Sequence, residues 1–434
     1  METWLVAAMV LGCGGETTSD SGENTPEETA ERGAPFTDEQ LESLDPLLLQ
    51  GHVDVLADEG MAGRIPGSHG HALSYAYIEA EMESIGLTPM GDGGGFTQSY
   101  SNDAVSGRLM LTEEGDVVDH ETTEGVNLLG VVPGHDPSLA DEYIVVMAHY
   151  DHLGVNATGD AYNGAFDNAT GVSLGLELAR LFMDSGFAPG RSILFFFTDD
   201  EESGFDGSLA WLDEPTVPLA QVVAGISVDP VGRPMLPDYW PLTLLGAERS
   251  EAFDLAWRTA AEWADPELDV VFVHREIIPS YLLGSDHDSF YEHETPLTAL
   301  WFVNPGMSFY HTVNDTPETV DYRVLLSSGR FLAQTLGLLT TSDASFTYSG
   351  SPEMDWTHAE DVLPLLYGVE GSDELTADER EELEGYIAEV ESVVESQDID
   401  VLDNRESFFI QAGYFLLFDL PVAHPGEVPP PFPE

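Results

Sequence analysis

The chain has 434 residues, is 42% apolar, and carries 80 acidic against 13 basic residues, a formal net charge of −67. All 13 basic residues are arginine, and so negative a surface repels nucleic acid and anionic membranes and loses stability to self-repulsion unless salt screens it. The single cysteine, Cys13, excludes a disulfide framework within the chain and a thiolate-bound metal. Complete loss of lysine points to a protein of a high-salt environment.

Along the chain, residues 1–35 read as a signal and tether. The apolar run Trp4 to Gly12 is too short to span a bilayer and ends in "VLGC" at Cys13, followed by an acidic Gly/Ser/Thr/Pro stretch. The pattern resembles a bacterial lipoprotein signal with lipid on Cys13, although "METW" lacks the usual positive start. The protein is thus expected to be exported, anchored at the periplasmic or cell-surface side of a membrane through Cys13, or otherwise secreted. From 36 to 342, strand-like runs ("GRLMLT", "VNLLGVV", "YIVVMA", "SILFFFT", "VVAGISV", "LTALWFV") alternate with helical stretches at Ala72–Ile85, Thr170–Asp184, Glu251–Ala264 and Tyr322–Thr340. Buried β-branched and aromatic runs separated by helices predict an α/β fold with a largely parallel sheet. Residues 350–434 read as an acidic helical C-terminal segment, opened by a Ser/Asp-rich cap region and closed by the proline-rich "PGEVPPPFPE".

In an open α/β sheet, function collects at the carboxyl ends of strands. Four strand ends carry metal-type ligands: His149 and Asp151 after "YIVVMA", Asp199 to Glu202 after "SILFFFT", Asp229 after "VVAGISV", and His311 beyond "LTALWFV". Asp167, between glycines in "YNGAFDNATG", is a fifth candidate. Singly, each has a plainer explanation: a surface histidine, a helix cap at Asp167, a solvated turn at the glutamates, a loop acid at Asp229. Together, hard carboxylates and imidazoles without sulfur suit two Zn2+ ions, or Co2+ or Mn2+ in their place. Such a pair needs a bridging carboxylate, terminal ligands on each side, and one free carboxylate to take a proton from water.

These blocks resemble a known family. "MAGRIPGSHGHALSYAYIEAEMESIGLTP", "VVMAHYDHLG", "YNGAFDNATG", "FFFTDDEESGFDGS", "SVDPVGR", "SDHDSF" and "FYHTVNDTPETVDY" appear in the order found in zinc exopeptidases with two co-catalytic metals. That family includes the bacterial leucyl aminopeptidases, aminopeptidase Y, glutamate carboxypeptidase relatives and glutaminyl cyclases. The resemblance covers roughly residues 50 to 340. It implies a three-layer α/β/α sandwich with a mixed, mostly parallel sheet, plus the small C-terminal helical appendage. It further implies His149 and Asp229 as terminal ligands of one zinc, Glu202 and His311 of the other, and Asp167 as the bridge. Glu201 would be the general base, and Asp151 a carboxylate orienting the His149 imidazole. Where the family often has a small residue or glycine before its glutamate pair, this chain has Asp200, either near the base or turned to solvent.

The remaining histidines take plainer readings. His152 reads as a loop residue, Asp286 and His287 as supports of a loop near the site, and His69 and His71 as structural or exposed. Tyr281 is a candidate hydrogen-bond donor to the oxyanion. The resemblance implies a metallo-exopeptidase acting on peptide substrates, an aminopeptidase first. The alternatives are a glutaminyl-peptide cyclase-like or carboxypeptidase-like enzyme on the same fold, or a non-catalytic envelope binding module. Side-chain preference and oligomeric state are not legible.

Overall fold

The structure, a computed structural model, describes residues 33–101, 110–111, 117–118, 124–275, 284–307, 309–350, 356–372 and 375–399. Its strands are β1 (Thr88–Pro89), β2 (Thr97–Ser101), β3 (Met110–Leu111), β4 (Val117–Val118), β5 (Glu124–Val132), β6 (Tyr143–His149), β7 (Ser192–Thr198), β8 (Val222–Val228), β9 (Pro241–Leu245), β10 (Asp269–Val273) and β11 (Ala299–Val303). The helices are α1 (Asp38–Leu41), α2 (Pro46–Leu56), α3 (His69–Ile85), α4 (Thr170–Asp184), α5 (Asp206–Asp213), α6 (Glu251–Ala261), α7 (His287–Glu292), α8 (Tyr322–Thr341), α9 (Trp356–Glu370) and α10 (Ala377–Ser396).

Nine strands form one mixed sheet in the order β1-β5-β7-β6-β8-β11-β9-β10, with β2 also on β5. The central four, β7, β6, β8 and β11, run parallel. Antiparallel pairings flank them, β5 on β7 at one side and β9 on β11 at the other. This is the expected α/β architecture, and each central strand falls where its apolar run predicts.

The reason for burial on both faces is visible in β7. Alternate side chains of a strand point to opposite faces. Ile193, Phe195 and Phe197 enter the larger core with α2, α4 and α8, while Leu194 and Phe196 enter a second core with Trp211 of α5 and Phe290 of α7. A parallel strand covered on both sides therefore reads as an unbroken apolar run.

Local signals set the helix ends. Ser68 accepts the His71 N–H and opens α3, three residues before the apolar pattern suggests, and Gly86 closes it at φ 86°. Asp45 caps α2, with Pro46 at its first position. Thr376 and Glu379 form a reciprocal capping box at the start of α10.

The C-terminal helices complete the third layer. Val362, Leu366 and Val369 of α9 and Leu383, Ile387 and Val390 of α10 pack with Leu245, Val271, Val273, Trp301 and Val303, residues of β9, β10 and β11. Phe166 and Met307 belong to the same cluster, and Tyr310 packs against it. A strap at 342–350 joins this pair to the main domain: Arg191 donates to the Leu339 and Ala344 carbonyls at 2.9 and 2.8 Å. No helix among the described residues is long and apolar enough to cross a membrane.

Candidate metal centre

The parallel register of β6, β7, β8 and β11 brings their carboxyl ends together. His149, the last residue of β6, lies opposite Thr198, the last of β7, so the acids after Thr198 begin beside the imidazole. Asp229 follows β8 directly, and its N–H donates to Phe302 O of β11 at 3.1 Å. Asp167 sits in the turn that leads into α4.

Two donor clusters result. His149, Asp167 and Asp229 offer atoms all within 4.8 Å of one another, and so do His152, Asp167 and Glu202. His149 Nε2 is 3.1 Å from Asp167 Oδ1 and 3.2 Å from Asp229 Oδ1. His311 Nε2 is 3.2 Å from Asp167 Oδ2 and 3.1 Å from Glu202 Oε2. The two oxygens of Asp167 therefore face two different imidazoles.

The donor set fits divalent metal. Edges of 3.1–3.2 Å approach the roughly 3.3 Å edge of a tetrahedron built on bonds of about 2.0–2.1 Å. Asp167 Oδ2 and His311 Nε2 are buried without a hydrogen-bond partner, a costly state for polar atoms unless another group binds them. Nitrogen and oxygen donors without sulfur match zinc and its harder neighbours.

The fields around the two glutamates differ. Burial pushes Glu201 well above the usual glutamate range; the nearby His149 opposes this, and Asp229, Glu202 and Asp286 add to it. For Glu202 burial works the same way but is outweighed by His311 and His152, which hold it at about 2. Burial also opposes ionisation of Asp167, and the adjacent His149 and His311 imidazoles prevail, keeping it well below the usual carboxylate range. Adjacent carboxyls thus have opposite tendencies: Glu201 toward the proton, Glu202 toward the anion.

Asp151 does more than the sequence reveals. It stands 3.5 Å from His149 Nδ1, and its oxygens accept the backbone N–H groups of Glu201 and Glu202 at 3.2 and 3.3 Å. It ties the end of β6 to the turn that carries both glutamates. Asp200 is fully buried rather than turned to solvent and sits at φ 59°, in the left-handed region. Glycine is the easy occupant there, and aspartate is among the few others that tolerate it.

Ser285 donates to Asp229 Oδ2 at 2.6 Å. Asp286 accepts from Thr198 Oγ1 at 2.5 Å, and the His287 ring stacks on Trp301; burial, largest among the causes, lowers His287 to about 3. Both act as supports of the loop. His71 is buried, 2.7 Å from Asp199, while His69 is exposed. Tyr281 and Cys13 lie outside the described residues.

Three contributors escape the sequence reading. His152 is fully buried and 2.6 Å from Glu202 Oε1. Asp315 accepts the N–H groups of Phe166 and Asp167 at 3.0 and 3.1 Å, and Arg233 pairs with it at 3.0 Å. Arg64, also buried, donates to the carbonyls of Tyr150, Asn163 and Gly164. The only available signals were proximity in sequence, His152 three residues after His149 and Asp315 four after His311.

Comparison with known proteins bears out the zinc exopeptidase resemblance. Residues 127–336 match peptidase family M28. Human transferrin receptor protein 2 is 35% identical over 101 residues, 22% of this chain and 11% of that protein. The probable glutamate carboxypeptidase AMP1 of Arabidopsis thaliana is 36% identical over 94 residues, 21% of this chain and 12% of that protein. The chain thus spans only a small share of these curated relatives. The LapA aminopeptidase of Legionella pneumophila has the same fold, with a TM-score of 0.52 at 17% identity, covering 75% of this chain and 78% of that one. The family match spans every residue of the two donor clusters.

Proposed function

We propose that this chain, matched by peptidase family M28 across its strand-end donors, is an aminopeptidase that removes N-terminal residues from peptides with two zinc ions. The observation that carries the reading is the division of Asp167, with one oxygen at His149 and the other at His311. His149 and Asp229 would hold one ion, Glu202 and His311 the other, and Asp167 both. When bound, such a pair lowers the pKa of a water and polarises the scissile carbonyl.

The chain's own groups supply the rest. Glu201, buried and drawn toward its protonated form, takes the proton of the attacking water and returns it to the leaving amine. Asp151 fixes both glutamates through their backbone N–H groups, so base and ligand keep a constant offset. Ser285 and Trp301 hold Asp229 by its carboxylate and its carbonyl. Lipid on Cys13 would keep the enzyme at a membrane face, outside the described residues.

The likeness to the probable glutamate carboxypeptidase favours a carboxypeptidase as the second reading. Aminoacyl-anilides, N-blocked peptides with a free carboxyl end, and peptides with N-terminal glutamine should be assayed with and without chelator. Release from the anilides, lost with chelator and regained with Zn2+, is the expected result. Glu201→Gln should lower turnover by about 10²–10⁴-fold with metal content unchanged. Release only from the carboxyl end, or a cyclised product with a single bound metal, would overturn the aminopeptidase reading.

A further inference from the structure

His152 is the one imidazole at the centre that the roles above leave unused. Its ring is fully buried. Its backbone N–H donates to Arg64 O at 3.4 Å, and its ring Cδ2 lies against Gly164, where a Cβ would fall 2.6 Å away. Gly164 has φ 59°, so the turn before Asp167 both requires a glycine and leaves the space that the ring fills. The ring is edge-on to His311, with centroids 5.8 Å apart at 70°.

Distances separate two possible roles. Ligands that share one ion sit about 3.3 Å apart when bonds are about 2.0–2.1 Å, and His311 meets Asp167 and Glu202 at 3.2 and 3.1 Å. His152 Nδ1 is 2.6 Å from Glu202 Oε1 and 3.8 Å from Asp167 Oδ2. The first distance is too short for a ligand edge and the second too long. A contact of 2.6 Å is that of a short, charge-assisted hydrogen bond.

We infer that His152 is a positioning residue: its Nδ1–H occupies Glu202 Oε1 and leaves Oε2 alone to face the cation shared with His311. Glu202 then offers one oxygen, in a fixed direction, to the Asp167–Glu202–His311 side. Partners of this kind orient a ligand before the metal arrives, and removing one costs about 10–100-fold in metal affinity. The effect falls on one of the two cations, because His149 and Asp229 have no contact with His152 among those described.

The inference rests on the two-cation reading. Metal-free protein titrated with Co2+, followed by calorimetry and by its visible absorption, tests it without an activity assay. Wild type should take up two equivalents. His152→Ala should keep the first unchanged and bind the second about 10–100-fold more weakly. His152→Asn, whose Nδ2 occupies nearly the place of the imidazole Nδ1, should restore most of the loss. An alanine variant that binds both equivalents like wild type, or loses both equally, overturns the inference, as does an asparagine variant no better than alanine. A wild-type chain that binds a single equivalent overturns the two-cation reading itself, a distinguishable result.

Discussion

Asp167 donates to both clusters at once, so no other residue of the centre should be as costly to truncate. Asp167→Ala is expected to strip most of the bound zinc, measured by elemental analysis after dialysis; retention of two tight equivalents would refute the bridge. Its backbone is fixed by Asp315, which accepts the N–H groups of Phe166 and Asp167. His149, Asp167, Glu202, Asp229 and His311, which the structure brings together, could be picked out in sequence because four of them follow strands and Asp167 precedes a helix, in motifs whose order is informative. The contacts of Asp151 and Asp315 were not, because both carboxylates bind main-chain N–H groups far away in sequence, and no side-chain pattern encodes such a partner. His152 lies in a loop, as read, but its burial was not legible, because burial of a loop depends on what packs over it.

Among elements, β7 and β8 were read to the residue, since fully buried parallel strands are continuous apolar runs bounded by polar residues. β9 and β10 were not, being five residues each, one opening with Pro241 and the other with Asp269. Tertiary pairing makes them strands, β9 on β11 and β10 on β9. The α9 helix joins β10 through His274 and Asp361, whose side chains form an ion pair. Burial works against charge on His274, but the hydrogen bond and charge of Asp361 prevail and its pKa is raised. A raised histidine adds stability that is fully present below its unfolded pKa, about 6.5, and is lost as pH rises through the folded value. The melting temperature gap between wild type and Asp361→Asn should therefore be larger at pH 5.5 than at pH 9. A gap independent of pH would exclude this pair as the link.

For the whole molecule, the dominant quantity is the charge of −67. At low ionic strength the Debye length is long, about 30 Å at 0.01 M against 3 Å at 1 M, so like charges across the surface repel. The melting temperature should rise steeply between 0.01 and 1 M NaCl and continue upward in molar KCl; a flat profile would mean that the acids are tolerated without screening. Fold class was legible at this level because the alternation of strand and helix covers most of the chain. The place of the C-terminal helices was not, since α10 shows mainly acidic residues in sequence and only a narrow apolar stripe, Leu383, Ile387, Val390 and Val393, that enters the core.

That stripe shares its apolar cluster with Phe166, and Tyr310 packs against it. Ending the chain at Thr341 would leave Trp301, Val303, Val271 and Val273 facing water, and with them the underside of Phe166 and Tyr310, the immediate neighbours of Asp167 and His311. Limited proteolysis within 375–399 is expected to release zinc together with the cleaved helix. The two C-terminal helices would thus act as a keystone: pulled from β9, β10 and β11, they would loosen Phe166 and Tyr310 beside the proposed ligands.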